Sequence, residues 1–386
     1  MEQMDHLAIL VLQGRTKAVV IKAKRSKSDV RRGKAMSSIN ESPKSPQKAT
    51  IADVAKAAGV SKTTISRYLS GDYKSISAGT LKRIEEAIAE LRYRPNRMAR
   101  GLRQARSYSI GMIFADISNP YSTSVLRGAE DVCTRNGYSI IVCNTDNDPV
   151  KEKNYIAMMH AHRIDGLIIH PTGHNKDILS EMADEQIPVV LIDREIPGLA
   201  FDMVGTDNYG AMSEATRFFL DQGYQRIGFF SQPIKHVSSR TERFLAFSDV
   251  LRNAGHPSAK DLYEFEIRKS EQLEAHLDRF IAETDGQSRM LFAVNGITQL
   301  KLINALQKRG LRIPEDMGIA GFDDSDWAPV VGSGITTVEQ PTYEIGQKAM
   351  EKVLQRLGGD DGEKERIALP GKLIVRGSTP SQLKKI

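Results

Sequence analysis

Cysteine is nearly absent from this 386-residue chain, which has only Cys133 and Cys143. Two thiols cannot build a disulfide scaffold, and their nine-residue spacer matches no zinc-ligand pattern. Both read as small buried thiols. Long apolar runs are missing too. No stretch approaches the roughly 20 apolar residues that cross a bilayer, so a membrane partner is not expected. The common enzyme signatures are also lacking: no G-x-S-x-G, G-x-x-x-x-G-K-[ST], H-E-x-x-H or G-x-G-x-x-G occurs. His160 and His162, two apart on a helical pattern, fall on different faces and read as a surface pair. The sequence implies neither a metal nor a cofactor.

Charge is present and unevenly spread. The net charge is +6, yet residues 1–49 carry 11 Lys/Arg against 4 Asp/Glu and residues 50–105 carry 11 against 5. Residues 106–386 reverse the balance, with 32 against 39. A basic front on an acidic body suggests a polyanion-binding head on a separate folded module.

Residues 1–49 read as a disordered basic extension. The apolar run Leu7–Leu12 is too brief for a signal peptide and follows acids rather than basic residues. Met36 is an alternative start, which would make Met1–Ala35 an over-extended reading of the gene. From Thr50 the pattern is helical. Thr50 is placed to cap a helix, with Asp53 completing a capping box, and Ile51, Val54, Ala55 and Ala58 share one face. Gly59 breaks that helix, Ser61 caps a second with Ile65 and Leu69 inward, and Ser77 caps a third that buries Leu81, Ile84, Ile88 and Leu91. Three short helices with a tight glycine turn describe a helix-turn-helix domain over 50–92.

Beyond Tyr108, apolar strand-length runs alternate with amphipathic helices. Strands are expected near 109–115, 139–143, 166–170, 189–192, 226–230, 290–294 and 317–322. Alternation of this kind means parallel sheets covered on both faces. The expected fold is an all-α head plus an α/β core of two doubly wound parallel-sheet subdomains with a cleft between them.

The stretch TIADVAKAAGVSKTTISRYL at Thr50–Leu69, with YRPNRMARGLR at Tyr93–Arg103, resembles the lactose-repressor and galactose-repressor family of bacterial transcription factors. That resemblance puts the second helix in a DNA major groove. Lys62, Thr63, Ser66 and Arg67, which point away from the apolar face, would then contact bases and phosphates. It also implies that 93–106 is a linker that becomes helical on DNA, with Asn96, Arg97 and Arg100 among its contacts. Leu102 would wedge into the minor groove there.

The core, 107–378, resembles the family's effector-binding module, which is similar to periplasmic sugar-binding proteins. The stretches that carry the likeness are IGMIFADISNPYS, DGLIIHPT, VVLIDRE, SRTERFLAF, FAVNG, IAGFDD and TTVEQP. Position by position, the resemblance implies that Tyr121, Asp193, Arg243, Asn295, Asp323 and Gln340 line the effector site. Gly296 departs from the family's usual acid, which would enlarge the pocket or remove a clasp between the subdomains. The subdomains are expected at 107–205 with 342–370 and at 206–338 with 371–378, followed by a tail over 379–386. His170, His174 and Arg194 would add positive charge beside Arg243, favouring a sugar acid over a neutral sugar.

The resemblance thus implies a cytoplasmic, homodimeric repressor of carbohydrate or sugar-acid use genes, bound to pseudo-palindromic operator DNA. The alternatives are a regulator of the same fold answering to a non-sugar effector, a secreted solute-binding protein, or an α/β enzyme with a DNA-binding head.

Overall fold

The structure, a computed structural model, describes residues 49–69, 71–93 and 106–382. The head has three helices, α1 (Ile51–Ala57), α2 (Lys62–Leu69) and α3 (Ala78–Glu90). Local chemistry sets their ends. Thr50 and Asp53 form a reciprocal capping box. Gly59 takes φ 65° in the turn, and Ser61 Oγ accepts from Thr64 N at 3.1 Å. Ser77 caps α3. Val54, Ala58, Ile65 and Ile84 close the small core between the helices. The expectations for 1–48 and for the linker residues Asn96, Arg97, Arg100 and Leu102 lie outside the described residues.

The core begins with β1 (Ser109–Phe114), α4 (Pro120–Arg135), β2 (Ser139–Asn144), α5 (Pro149–Ala161), β3 (Gly166–Ile169), α6 (Lys176–Asp184), β4 (Val189–Ile192) and β5 (Asp202–Thr206). It continues with α7 (Asn208–Asp221), β6 (Arg226–Ser231), α8 (Ser238–Asn253), β7 (Leu262–Glu264), α9 (Ser270–Glu283), β8 (Arg289–Ala293), α10 (Gly296–Lys308) and β9 (Gly318–Phe322). The last elements are β10 (Thr336–Glu339), α11 (Thr342–Leu357), β11 (Arg366–Leu369) and β12 (Lys372–Ile374).

These strands form two six-stranded sheets. The first runs β11-β5-β4-β3-β1-β2 and is parallel throughout. The second runs β12-β10-β9-β8-β6-β7, with only β12 antiparallel. Each sheet has apolar clusters on both faces, which is why its strands read as continuous apolar runs. The strand order reverses between β1 and β3 in one lobe and between β6 and β8 in the other. Crevices for ligands open at such switch points, beyond the carboxyl ends of the strands.

Five strands and one helix were not anticipated. β5, β7, β10, β11 and β12 are three to five residues long and each carries an acid, a basic residue, glycine or threonine, so no long apolar run marks them. Four of them matter because the chain changes lobes beside them: after β5, after β10, and between β11 and β12. Thr206 Oγ1 donates to Gln340 Oε1 at 2.7 Å, and Asp207 N donates to Leu369 O at 2.7 Å. The three crossings therefore lie side by side.

The unanticipated helix, α11, returns to the first lobe and packs on α4 through two glycines. A Cβ on Gly346 would stand 2.0 Å from Val125 O, and one on Gly128 would stand 2.0 Å from Tyr343 O. The backbones touch there. Gly346→Ala should therefore lower unfolding free energy by roughly 1–3 kcal/mol, despite alanine's advantage of about 1 kcal/mol in a helix. Urea denaturation checks this, and an unchanged midpoint would contradict the close packing.

Candidate functional site

Two aspartates mark equivalent places in the two lobes. Asp193 follows β4 and Asp323 follows β9, and each sends its N–H to the neighbouring strand, at Val204 O (3.1 Å) and Val338 O (2.9 Å). Both adopt left-handed backbone, φ 62° and 78°. Non-glycine residues rarely do so, at a cost of about 1–2 kcal/mol, and such strain collects at functional sites. The turn aims both carboxylates into the cleft. Neither acid caps a helix that directly follows it.

Asp193 is 7% exposed and is served by both lobes. His170 Nε2, at the end of β3, lies 3.1 Å from its Oδ2, and Ser239 Oγ of α8 donates to the same oxygen at 2.9 Å. Arg194 Nε and Arg243 Nη2 stand 3.7 Å from its two oxygens. Burial opposes its ionisation, but the His170 bond and the two guanidiniums win and hold the carboxyl well below the usual range. His170 moves the other way. Burial and the charge of Arg194 outweigh Asp193 and push the imidazole down to about 4. It is therefore neutral at physiological pH, which corrects the expectation that it adds positive charge. With Nε2–H donated to Asp193, His170 Nδ1 is an acceptor.

Arg243 is 4% exposed, and each of its three nitrogens donates a hydrogen bond. Its Nε donates to Asn208 Oδ1 at 2.8 Å, its Nη1 to Val294 O at 2.9 Å and its Nη2 to Gln340 Oε1 at 3.4 Å. The guanidinium carbon lies 3.7 Å from the centre of the Phe322 ring, within cation–π range. Gln340 also donates through Nε2 to Asp323 Oδ1 at 2.5 Å. Tyr121, from α4, packs its ring 5.6 Å from that of His170. Burial, then the charge of Asp193, raises its hydroxyl well above the ordinary phenol value.

Five of the six anticipated effector residues thus meet in one linked cluster: Tyr121, Asp193, Arg243, Asp323 and Gln340. Asn295 stands at its edge with both ends of its amide engaged. Its Oδ1 accepts from Thr298 N at 3.0 Å to cap α10, and its Nδ2 donates to Gln232 Oε1 at 3.0 Å. Gly296 does not enlarge the pocket. Its N–H donates to Asp323 Oδ2 at 3.0 Å, and Ser325 Oγ lies 2.9 Å from where a Cβ would stand.

Four buried atoms of the cluster find no protein hydrogen-bond partner among the described residues. They are Tyr121 Oη, His170 Nδ1, Asp193 Oδ1 and Arg194 Nε. Buried polar atoms are rarely left so.

Ser239 and Asn208 were missed. Ser239 was findable, because it precedes Arg243 by four residues and so shares its helix face. Asn208 follows β5, whose DMVGT sequence hides a fully buried strand.

In the head, Ile65 anchors α2 inward, Lys62, Thr63 and Arg67 are exposed, and Ser66 is half-buried. Arg67 Nη1 donates to Ser75 Oγ at 3.3 Å, which holds the guanidinium on the polar face.

Comparison with known proteins matches this architecture. A model described as "Bacterial regulatory proteins, lacI family" fits residues 50–96, and a periplasmic binding protein-like domain model fits residues 216–379. The HTH-type transcriptional regulator KdgR of Bacillus subtilis is 45% identical over 329 residues, spanning 85% of this chain and 97% of that one. The regulator PtxS of Pseudomonas putida is 40% identical over 337 residues, spanning 87% and 97%. A solved LacI family regulator from Enterococcus faecium with bound ribose superposes with a TM-score of 0.62 at 27% identity, over 71% of this chain and 99% of that one. These relatives are regulators rather than enzymes. With such likeness across head and core alike, the chain belongs to the LacI family of bacterial transcriptional regulators.

Proposed function

We propose that this regulator is a cytoplasmic homodimer that represses carbohydrate or sugar-acid use genes, and that a polyhydroxylated anion in the cleft sets its hold on operator DNA. The observation carrying this reading is the set of four partnerless polar atoms around Asp193. Two donors, Tyr121 Oη–H and Arg194 Nε–H, and two acceptors, His170 Nδ1 and Asp193 Oδ1, match the mixed demands of vicinal hydroxyls. The guanidiniums of Arg194, Arg243 and Arg240, the last on α8, gather around Asp193, with buried Glu152 as a further acid near Arg194, and this concentration of guanidiniums supports a ligand carboxylate. Ribose in the Enterococcus faecium regulator is a related guest.

The head and linker supply the DNA contacts in this reading. Lys62, Thr63, Ser66 and Arg67 on α2 would meet base edges and phosphates, while Asn96, Arg97, Arg100 and Leu102 would engage the minor groove. The division into a head at 50–92, a linker at 93–106 and a two-lobed core at 107–378 follows from it. A ligand governs the DNA-bound state only by binding two lobe arrangements with different affinity.

Three measurements test this reading. In a thermal-shift panel, D-gluconate and related sugar acids should stabilise the chain, by about 2.7 kcal/mol at 100-fold excess over Kd. Stabilisation by neutral sugars alone would reject the anion. Arg243→Met should abolish the ligand's effect on operator affinity while leaving operator binding itself in place, read by fluorescence anisotropy. Arg67→Ala should relax base preference at one operator position, losing ~1–3 kcal/mol of discrimination. An unchanged preference would remove Arg67 from base reading.

A fourth test concerns the neutral imidazole. The unfolded chain takes up the His170 proton near the ordinary value of 6.5, whereas the folded protein resists it down to about 4. Between those values the unfolded state binds more protons, so stability falls as pH drops, by about 1.4 kcal/mol per pH unit at most. His170→Gln should flatten the fall between pH 7 and pH 5 in urea denaturation. A parallel slope in the variant would mean that another group is responsible.

A further inference from the structure

A guanidinium outside the pocket joins the two lobes. Arg366 lies on β11, the edge strand of the first sheet. Its Nη1 is 2.6 Å from Glu195 Oε1, on the loop after β4 of its own lobe, and its Nη2 is 2.6 Å from Glu242 Oε1, on α8 of the other lobe. The two carboxylates would otherwise face each other across the rim. Glu242 does not stop at the rim. Its Oε2 accepts from Asn208 Nδ2 at 3.2 Å, and Asn208 Oδ1 accepts from Arg243 Nε at 2.8 Å. A chain of four side chains thus runs from the surface to the arginine at the centre of the cleft.

A second contact crosses the rim at the same place. Glu195 N donates to Ser238 Oγ at 2.8 Å, so the residue that Arg366 grips is also pinned to the opposite lobe through its backbone. Side chain and main chain of Glu195 report the same approach of the lobes.

We propose that Arg366 is an interlobe clasp and a positioning residue. It bridges Glu195 and Glu242 when the lobes meet, and through Glu242 and Asn208 it orients Arg243 for the guest in the cleft. Its regulatory meaning rests on the cleft being the effector site, but its mechanical role does not. A fork that spans two moving bodies exists in only one of their arrangements, so it biases the equilibrium between them. Half-exposed pairs give modest effects. A modest bias is what a switch needs, because the clasp must yield when the lobes part.

The test uses the full-length, ligand-free chain, so a wrong effector assignment leaves it unaffected. Hydrogen–deuterium exchange is followed in peptides containing the Glu195 amide. Arg366→Met should speed exchange there roughly threefold or more, with the helices at 51–90 unchanged, and Arg366→Lys should restore part of the protection. Glu242→Gln alone should produce a similar rise, which keeps the test open if Arg366→Met folds poorly. In a Glu195→Gln/Glu242→Gln background, Arg366→Met should add nothing further. Unchanged exchange in Arg366→Met and Glu242→Gln would overturn the clasp. So would an equal increase in the double-glutamine background, because Arg366 would then act through its packed stem rather than its charge.

Discussion

The core is organised around one buried carboxylate. Asp193 takes a hydrogen bond from each lobe, through His170 and Ser239, and lies between the guanidiniums of Arg194 and Arg243. Losing one partner of a buried ion pair costs about 3–5 kcal/mol, whereas replacing the whole pair by apolar groups is often neutral. A fold under pressure for stability alone would have no use for this cluster. In the proposed reading the polar atoms are kept for what binds among them. Its position, where two sheets end and two lobes meet, makes that binding a matter of geometry as well as charge.

The remaining architecture delivers these groups. Each lobe repeats the same strand order, and in each an aspartate held in left-handed backbone follows the fourth strand. The repeats are joined by three short crossings rather than by a packed element. Gln340 sits on one of them and touches Thr206 of another crossing, Asp323 of one acid turn and Arg243 of the cleft. A change at Arg243 therefore reaches the hinge through one side chain. Lobes that pivot on such crossings can move as rigid bodies, because their own interiors are close-packed and resist deformation.

Sequence reading succeeded wherever the signal was local. The caps at Thr50, Ser61 and Ser77 and the apolar spacing of Val54, Ile65 and Ile84 specify the head within a few residues of each other. β1, β3 and β4 stood out because buried parallel strands are apolar on both faces. Asp193 and Asp323, one residue past β4 and β9, follow such apolar runs, and the resemblance marked them as cleft residues. β5 and β10 were not, because DMVGT and TTVE gain their burial from neighbours distant in sequence. Asn208 was lost with β5. The charge state of His170 was also illegible, since it depends on Arg194 and Asp193 coming together in space. Gly296 misled for a similar reason: the room a side chain would occupy there is filled by Ser325, 29 positions away in sequence.

One strand shows how a signal can cross the first lobe without any change inside it. The stretch DGLIIH begins with Asp165, whose two oxygens accept from Ser107 N at 2.7 Å and Tyr108 N at 2.8 Å, where the chain enters the core. It ends with His170 on Asp193. Between them, Gly166–Ile169 is wholly buried and spans about 17 Å from Asp165 to His170 at ~3.3 Å per residue. A buried, extended strand of this kind can neither stretch nor bend appreciably at the energies a small ligand provides. Whatever tilts the cleft end must therefore tilt the chain-entry end with it. The entry at Ser107 and Tyr108 is thus bound to follow the motion of the whole lobe. In the proposed reading, regulation then reduces to the angle between two rigid lobes, set by the groups that meet on Asp193.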